Sequence, residues 1–135
     1  MNVDGRGILE IKRRRELANY YYDNFRKHYE TKKFSKASEF LWGTLNALVY
    51  AIGLFYGRKL TTHRSVVDFV KELASAYKDK EMGELVNDAE TIHANFFHDF
   101  MDEYNFENYR RKTEKLLKRL VEILDHEIQT QFQGR

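Results

Sequence analysis

Apolar residues in this chain recur at three- and four-residue steps, the spacing that places them on one side of an α-helix. Leu17, Tyr21, Phe25 and Tyr29, with Ala18 and Tyr22 alongside, form such a stripe and predict a first helix over residues 8–31. A second helix is predicted over 35–56, where Ala37, Phe40, Leu41, Leu45, Leu48, Val49, Ile52, Phe55 and Tyr56 cover more than half the circumference. A helix that apolar is expected at the centre of a bundle, touched on several sides. Val66, Phe69, Val70, Leu73 and Tyr77 predict a third helix over 62–77. Met82, Leu85, Val86, Ala89, Ile92, Phe96, Phe97 and Phe100 predict a fourth over 81–101. Tyr109, Thr113, Leu116, Leu120 and Leu124 form the seam of a fifth over 105–128.

Polar residues punctuate this pattern. Ser35, Thr62 and Asn105 are the expected N-caps, since a short polar side chain can accept a free backbone N–H. Gly57 is expected to end the second helix in the left-handed conformation, with Leu60 folding back onto it. Lys78-Asp79-Lys80 and Asp102 to Asn105 are polar breaks, and Gln129 to Arg135 is expected to fray. The chain has no proline, which suits a few long helices joined by short connections. The pattern therefore predicts one all-α domain over residues 1–135, an antiparallel bundle of about five helices. Its longest apolar region, Leu45 to Tyr56, holds Asn46 and Gly53 and is short for a bilayer span.

Charge and composition narrow the functional classes. With no cysteine there is no disulfide, thiolate metal site or cysteine nucleophile, which fits a reducing cytoplasm. The N-terminal region is charged and lacks the apolar core of a signal peptide, so a soluble cytoplasmic protein without a membrane partner is expected. Net charge is +2, yet residues 1–64 carry 13 Lys/Arg against 6 Asp/Glu, and residues 65–135 carry 10 against 15. Two readings follow: basic and acidic helices lie side by side and neutralise each other, or the basic half presents a face to nucleic acid. Lys12, Arg13, Arg14 and Arg15 open the first helix, and Arg26 and Lys27 stand near its end, with Tyr20 to Tyr22 between them. Cations interleaved with tyrosines can hold phosphates and stack on bases, or they can be a solvated face beside a buried stripe.

Other chemistry is sparse. Glu90 and His93 form one E-x-x-H step, the unit of di-iron bundles, and Glu39 could add a ligand. Such a site needs a second step, and none is present, so no metal is expected. His98 and Asp102 have the spacing of a one-turn helical pair. Trp42, beside Leu41, reads as core or interface. No glycine-rich phosphate loop occurs, and no cofactor is implied.

Three stretches carry a resemblance: Lys36 to Gly43 (KASEFLWG), His63-Arg64-Ser65 followed by Phe69-Val70 and Leu73, and Ala89 to Phe97 (AETIHANFF). Together they resemble the archaeal PaREP repeat family, usually placed with the HEPN (higher eukaryotes and prokaryotes nucleotide-binding) helical domains. The resemblance covers roughly residues 30–110 and lies mainly in packing positions. It implies a small helical bundle, a homodimer, and a partner that is nucleic acid, a nucleotide or another protein. Some HEPN domains are metal-independent ribonucleases whose signature is an arginine, usually followed by a polar residue, and then a histidine after four to six intervening positions. Two pairs here fit that spacing: Arg58 with His63, and Arg119 with His126. In the first, Lys59 follows the arginine, and the pair straddles Gly57; in the second, Leu120 stands where the signature has a polar residue. The sequence thus favours a non-catalytic binding module, with a divergent HEPN ribonuclease as the alternative.

Overall fold

The computed structural model describes residues 4–133 of the chain, without the side chains of Phe97, Phe132 and Gln133. Five α-helices follow one another: α1 (Gly5–Glu30), α2 (Phe34–Phe55), α3 (His63–Ala76), α4 (Lys80–His98) and α5 (Glu103–Ile128). A π-helical turn, Gln129–Gln133, continues α5 into the segment expected to fray.

The helix ends show where local chemistry differs from the expectation. α1 begins at Gly5 rather than Ile8, because the Asp4 carboxylate accepts the Gly7 N–H at 2.8 Å and caps three residues earlier. Ser35 is no cap: α2 starts at Phe34 without a side-chain cap, and the Ser35 hydroxyl donates to the Phe96 carbonyl at 3.1 Å. Thr62 caps α3 and exchanges hydrogen bonds with Ser65 in a capping box. Asp102, not Asn105, caps α5; Asn105 donates its backbone N–H to the Asp102 carboxylate at 2.8 Å. α4 ends at His98, so His98 and Asp102 do not share a helix and do not pair as expected.

α2 is the axis of the molecule. Thirteen of its 22 residues are buried, among them Leu41, Leu45, Val49 and Ile52, and α1, α3, α4 and α5 all lie against it. Such a helix is apolar on every side because every side is covered. Among the described residues it is the one helix long and apolar enough to cross a membrane, but 67% of its apolar window is already buried. α1 and α4 meet α2 in opposite residue order, whereas α5 meets it in the same order, Phe34 at Phe106 and Tyr56 at Glu127. Arg14 lies over Tyr50 while Tyr21 meets Phe40, and Trp42 meets His93 while Ser35 meets Phe96. Gly57 adopts φ 67° and closes α2, and Leu60 returns to within reach of Gly53, 5% exposed. Leu48 and Phe69 are buried, whereas Phe40 and Phe96 are only half-buried. Phe100, expected in the core, is 57% exposed because α4 has already ended. Tyr56 and Tyr77, also expected inside, keep their hydroxyls at the surface, where both donate to Glu127.

Ser38, Thr44, Asn95 and Thr113 are buried polar side chains, and each forms a hydrogen bond. Asn95, fully buried, accepts the Phe100 and Met101 N–H groups at 3.0 and 2.9 Å and donates to the Ser38 hydroxyl at 3.0 Å. One side chain thus ties the α4–α5 connection to the central helix. Asn95→Ala removes that tie and leaves two backbone donors without an acceptor, each worth about 1–3 kcal/mol when buried. Chemical denaturation is expected to show a loss of about 2–4 kcal/mol, against about 1 kcal/mol for Ser38→Ala.

Candidate functional site

The two candidate Arg–His pairs meet different fates. Arg119 and His126 line one shallow depression of about 230 Å³ with Tyr77 and Glu122. The Arg119 guanidinium, however, is turned onto two carboxylates, Asp79 at 3.2 Å and Glu81 at 2.5 Å. Lys115 also reaches Glu81, at 2.9 Å, and with Arg119 holds that carboxyl below its ordinary range. A guanidinium so neutralised is a poor clamp for a phosphate. Arg58 and His63 separate altogether. Arg58 grips Glu72 in a bidentate pair at 2.8 and 3.3 Å and rests over the Phe69 ring. His63 turns to Glu90, with Nε2 3.1 Å from its carboxylate.

His63, His93 and Trp42 assemble into a three-ring stack where α2, α3 and α4 meet. Trp42 lies 4.9 Å from the His63 ring and 4.7 Å from the His93 ring, and the two imidazoles lie 4.8 Å apart. Three residues weighed separately in the sequence are one cluster, brought together by the crossing of three helices. The E-x-x-H step is thereby spent: Glu90 pairs with His63, His93 stacks, and Glu39 pairs with Lys36 at 3.3 Å. Among the described residues no group of three His, Cys, Asp or Glu side chains could hold a metal ion.

The cations of α1 divide into two sets. Arg14 reaches Glu10 at 3.0 Å and lies 3.9 Å over the Tyr50 ring, and Arg15 crosses to Asp125 on α5 at 2.8 Å. Lys12, Arg13, Arg26 and Lys27 all face solvent, and Arg13 touches only its own helix, at Glu10. The charge imbalance along the chain is accordingly used up in part. Arg15–Asp125, Lys32–Glu103 and Arg58–Glu72 each join the basic half to the acidic half.

A further network spans α1 and α5. The Tyr22 hydroxyl donates to Glu114, whose second oxygen accepts from Arg110, and Arg110 also reaches Glu107 at 2.9 Å. Burial, and then the Glu114 carboxylate, push the Tyr22 phenol up to about 12. The partners lie 92 residues apart, so no spacing in the sequence could reveal them.

The ring stack generates a pH dependence. Burial, and then the neighbouring His63, hold His93 below the ordinary imidazole value, against the opposing pull of Glu90. The unfolded chain therefore binds this proton at higher pH than the folded one, and its stabilisation is complete above about 6.5 and lost as pH falls toward the folded value. Urea denaturation between pH 8 and pH 5 is expected to show a shallower loss on the acid side in His93→Phe, which keeps the stack without the titrating group. Identical slopes in the two proteins would contradict the assignment.

No curated protein and no solved structure is significantly similar to the chain. Residues 13–117 match the family model of the archaeal PaREP1/PaREP8 family, from the third turn of α1 through the middle of α5. That span includes α2, α3 and α4 entire, the ring stack and the Asn95 tie, and the chain belongs to the archaeal PaREP1/PaREP8 family.

Proposed function

We propose that the chain is a non-catalytic, HEPN-like binding module of the cytoplasm, working as a homodimer, that takes nucleic acid on the outer face of α1. The observation that carries this reading is the position of α1. Its backbone packs closely on α2 alone among the described helices, α5 being reached only through side chains; Ile11, Ala18 and Phe25 are its buried residues, and Lys12, Arg13 and Lys27 point outward. Arg6, Lys12, Arg13 and Lys27 recur on the side away from the core, with Tyr20, 60% exposed, between them. Lys12 and Lys27 stand roughly 22 Å apart along the helix axis at 1.5 Å per residue. Cations spread over that length suit a phosphate backbone better than a single nucleotide, and an exposed tyrosine offers a face for a base. Glu16, Asp23 and Glu30 are interspersed and keep the field modest, so the binding is salt-sensitive and weakly selective.

Fluorescence anisotropy with single-stranded RNA tests this. Lys12→Glu/Arg13→Glu is expected to weaken binding by about tenfold or more and to flatten its dependence on salt. Arg14→Gln is expected to do less, because that side chain is spent on Glu10 and Tyr50. Affinity unchanged by the double substitution would remove α1 from the interface.

One observation favours the enzymatic alternative: Arg119 and His126 share a depression with the Tyr77 side chain. A ribonuclease there needs Arg119 released from its carboxylates. Chelator-resistant RNA cleavage that rises in Asp79→Asn/Glu81→Gln and vanishes in His126→Ala supports that reading. No cleavage by either the native chain or the released variant retires it.

A further inference from the structure

Between α1 and α5 the surface folds inward. Both helices lie against α2, yet among the described residues they bring no Cα atoms within 8 Å of each other. α2 is left as the floor of a bay of about 510 Å³. Ala18, Leu48, Leu117 and Val121 supply its apolar lining. Side chains bridge it at both ends: Arg15 to Asp125 at 2.8 Å, and Tyr22 to Glu114. On α1 these bridges start from residues 15 and 22, roughly 10 Å of helix apart.

Size selects the class of occupant. A partner helix is a rod about 10–12 Å wide that would have to lie across both bridges to reach the floor. The volume falls instead in the range of about 300–1,000 Å³ typical of small-molecule sites, in which an apolar lining surrounds a few polar groups. Charge selects the chemistry. Glu114 is already neutralised by Arg110 and does not set the sign of the bay. Asp23 on α1 and Lys118 on α5 do, because neither forms an ion pair among the described residues and they stand on opposite walls. Asn19 adds an exposed amide on the Asp23 side.

We propose that this bay binds a small zwitterion with an apolar body, the class of an aromatic α-amino acid. Its body rests on Leu48 and Leu117, its ammonium faces Asp23 and its carboxylate faces Lys118. The inference is independent of nucleic-acid binding on the outer face of α1, and each can fail without the other.

Methyl-resolved NMR of the full chain tests it, with L-phenylalanine, phenethylamine and phenylacetate as probes. L-Phenylalanine is expected to shift the Leu48, Leu117 and Val121 methyl signals and to bind more tightly than either analogue. Asp23→Asn should weaken L-phenylalanine and phenethylamine by about 2- to 5-fold and leave phenylacetate unchanged; Lys118→Gln should weaken L-phenylalanine and phenylacetate instead. Val121→Trp, at a position 38% exposed, should fill the bay and abolish the shifts. The proposal is overturned by methyl signals that do not move up to the solubility limit of L-phenylalanine. Equal binding of the three probes regardless of the rim substitutions overturns it too, as does undiminished binding to Val121→Trp.

Discussion

The structure depends on covering α2 from every side. Leu41, Leu45, Val49 and Ile52 are fully buried on that one helix, and each such side chain contributes about 1.5–3 kcal/mol only if water is kept from it. No single neighbour can do that, so the other four helices are arranged by the need to surround α2. Close approach is helped by small residues. A Cβ at Gly43 would stand 3.2 Å from the Tyr21 ring, and one at Gly53 would stand 2.8 Å from the Leu60 side chain. α1 packs on one flank of α2 and α4 and α5 on others, while α3 reaches the axis mainly through Trp42, Tyr56 and the rings they meet.

Covering an axis this way leaves two consequences at the surface. Where the covering helices are bridged only by side chains, as between α1 and α5, a bay with an apolar floor remains. Where a covering helix packs closely on one helix only, as α1 does on α2, its outer side stays in water and can carry charge without loss of packing. The candidate binding surfaces are thus by-products of how α2 is enclosed. The polar interior follows the same logic: Ser38 and Thr44 on α2 and Thr113 on α5 return their hydroxyls to a backbone carbonyl one turn back, and Asn95 joins two helices and a loop.

Most of the fold was legible because hydrophobic periodicity is a local signal. The five helices and the central place of α2 follow from it, while the Thr62 cap and the Gly57 stop follow from the local chemistry of a hydroxyl and a glycine. The helix ends were less legible. Lys32, Lys78 and Asp99 take the left-handed conformation that Gly57 also takes, with φ of 56°, 53° and 44°. After α1 and α3 the backbone closes as it does after α2: Lys33 N–H bonds to the His28 carbonyl and Asp79 N–H to the Ala74 carbonyl, as Arg58 N–H does to Gly53. Packing imposes that turn on a lysine, at a cost of roughly 1–2 kcal/mol, and no residue type announces it. The candidate sites were least legible. Arg–His spacing says nothing of Asp79, Glu72 or Glu90, the distant carboxylates that claim those side chains, and the Trp42–His63–His93 stack exists only once three helices cross.

Native-state hydrogen exchange tests the enclosure of α2 most directly. Amides from Leu45 to Ile52 should exchange only through global unfolding and be the slowest in the molecule, while those on the outer side of α1 open at lower free energy. Amides of α2 exchanging as fast as those of α1 would contradict the account, because a helix so exposed to solvent could not be the axis on which the other four are assembled.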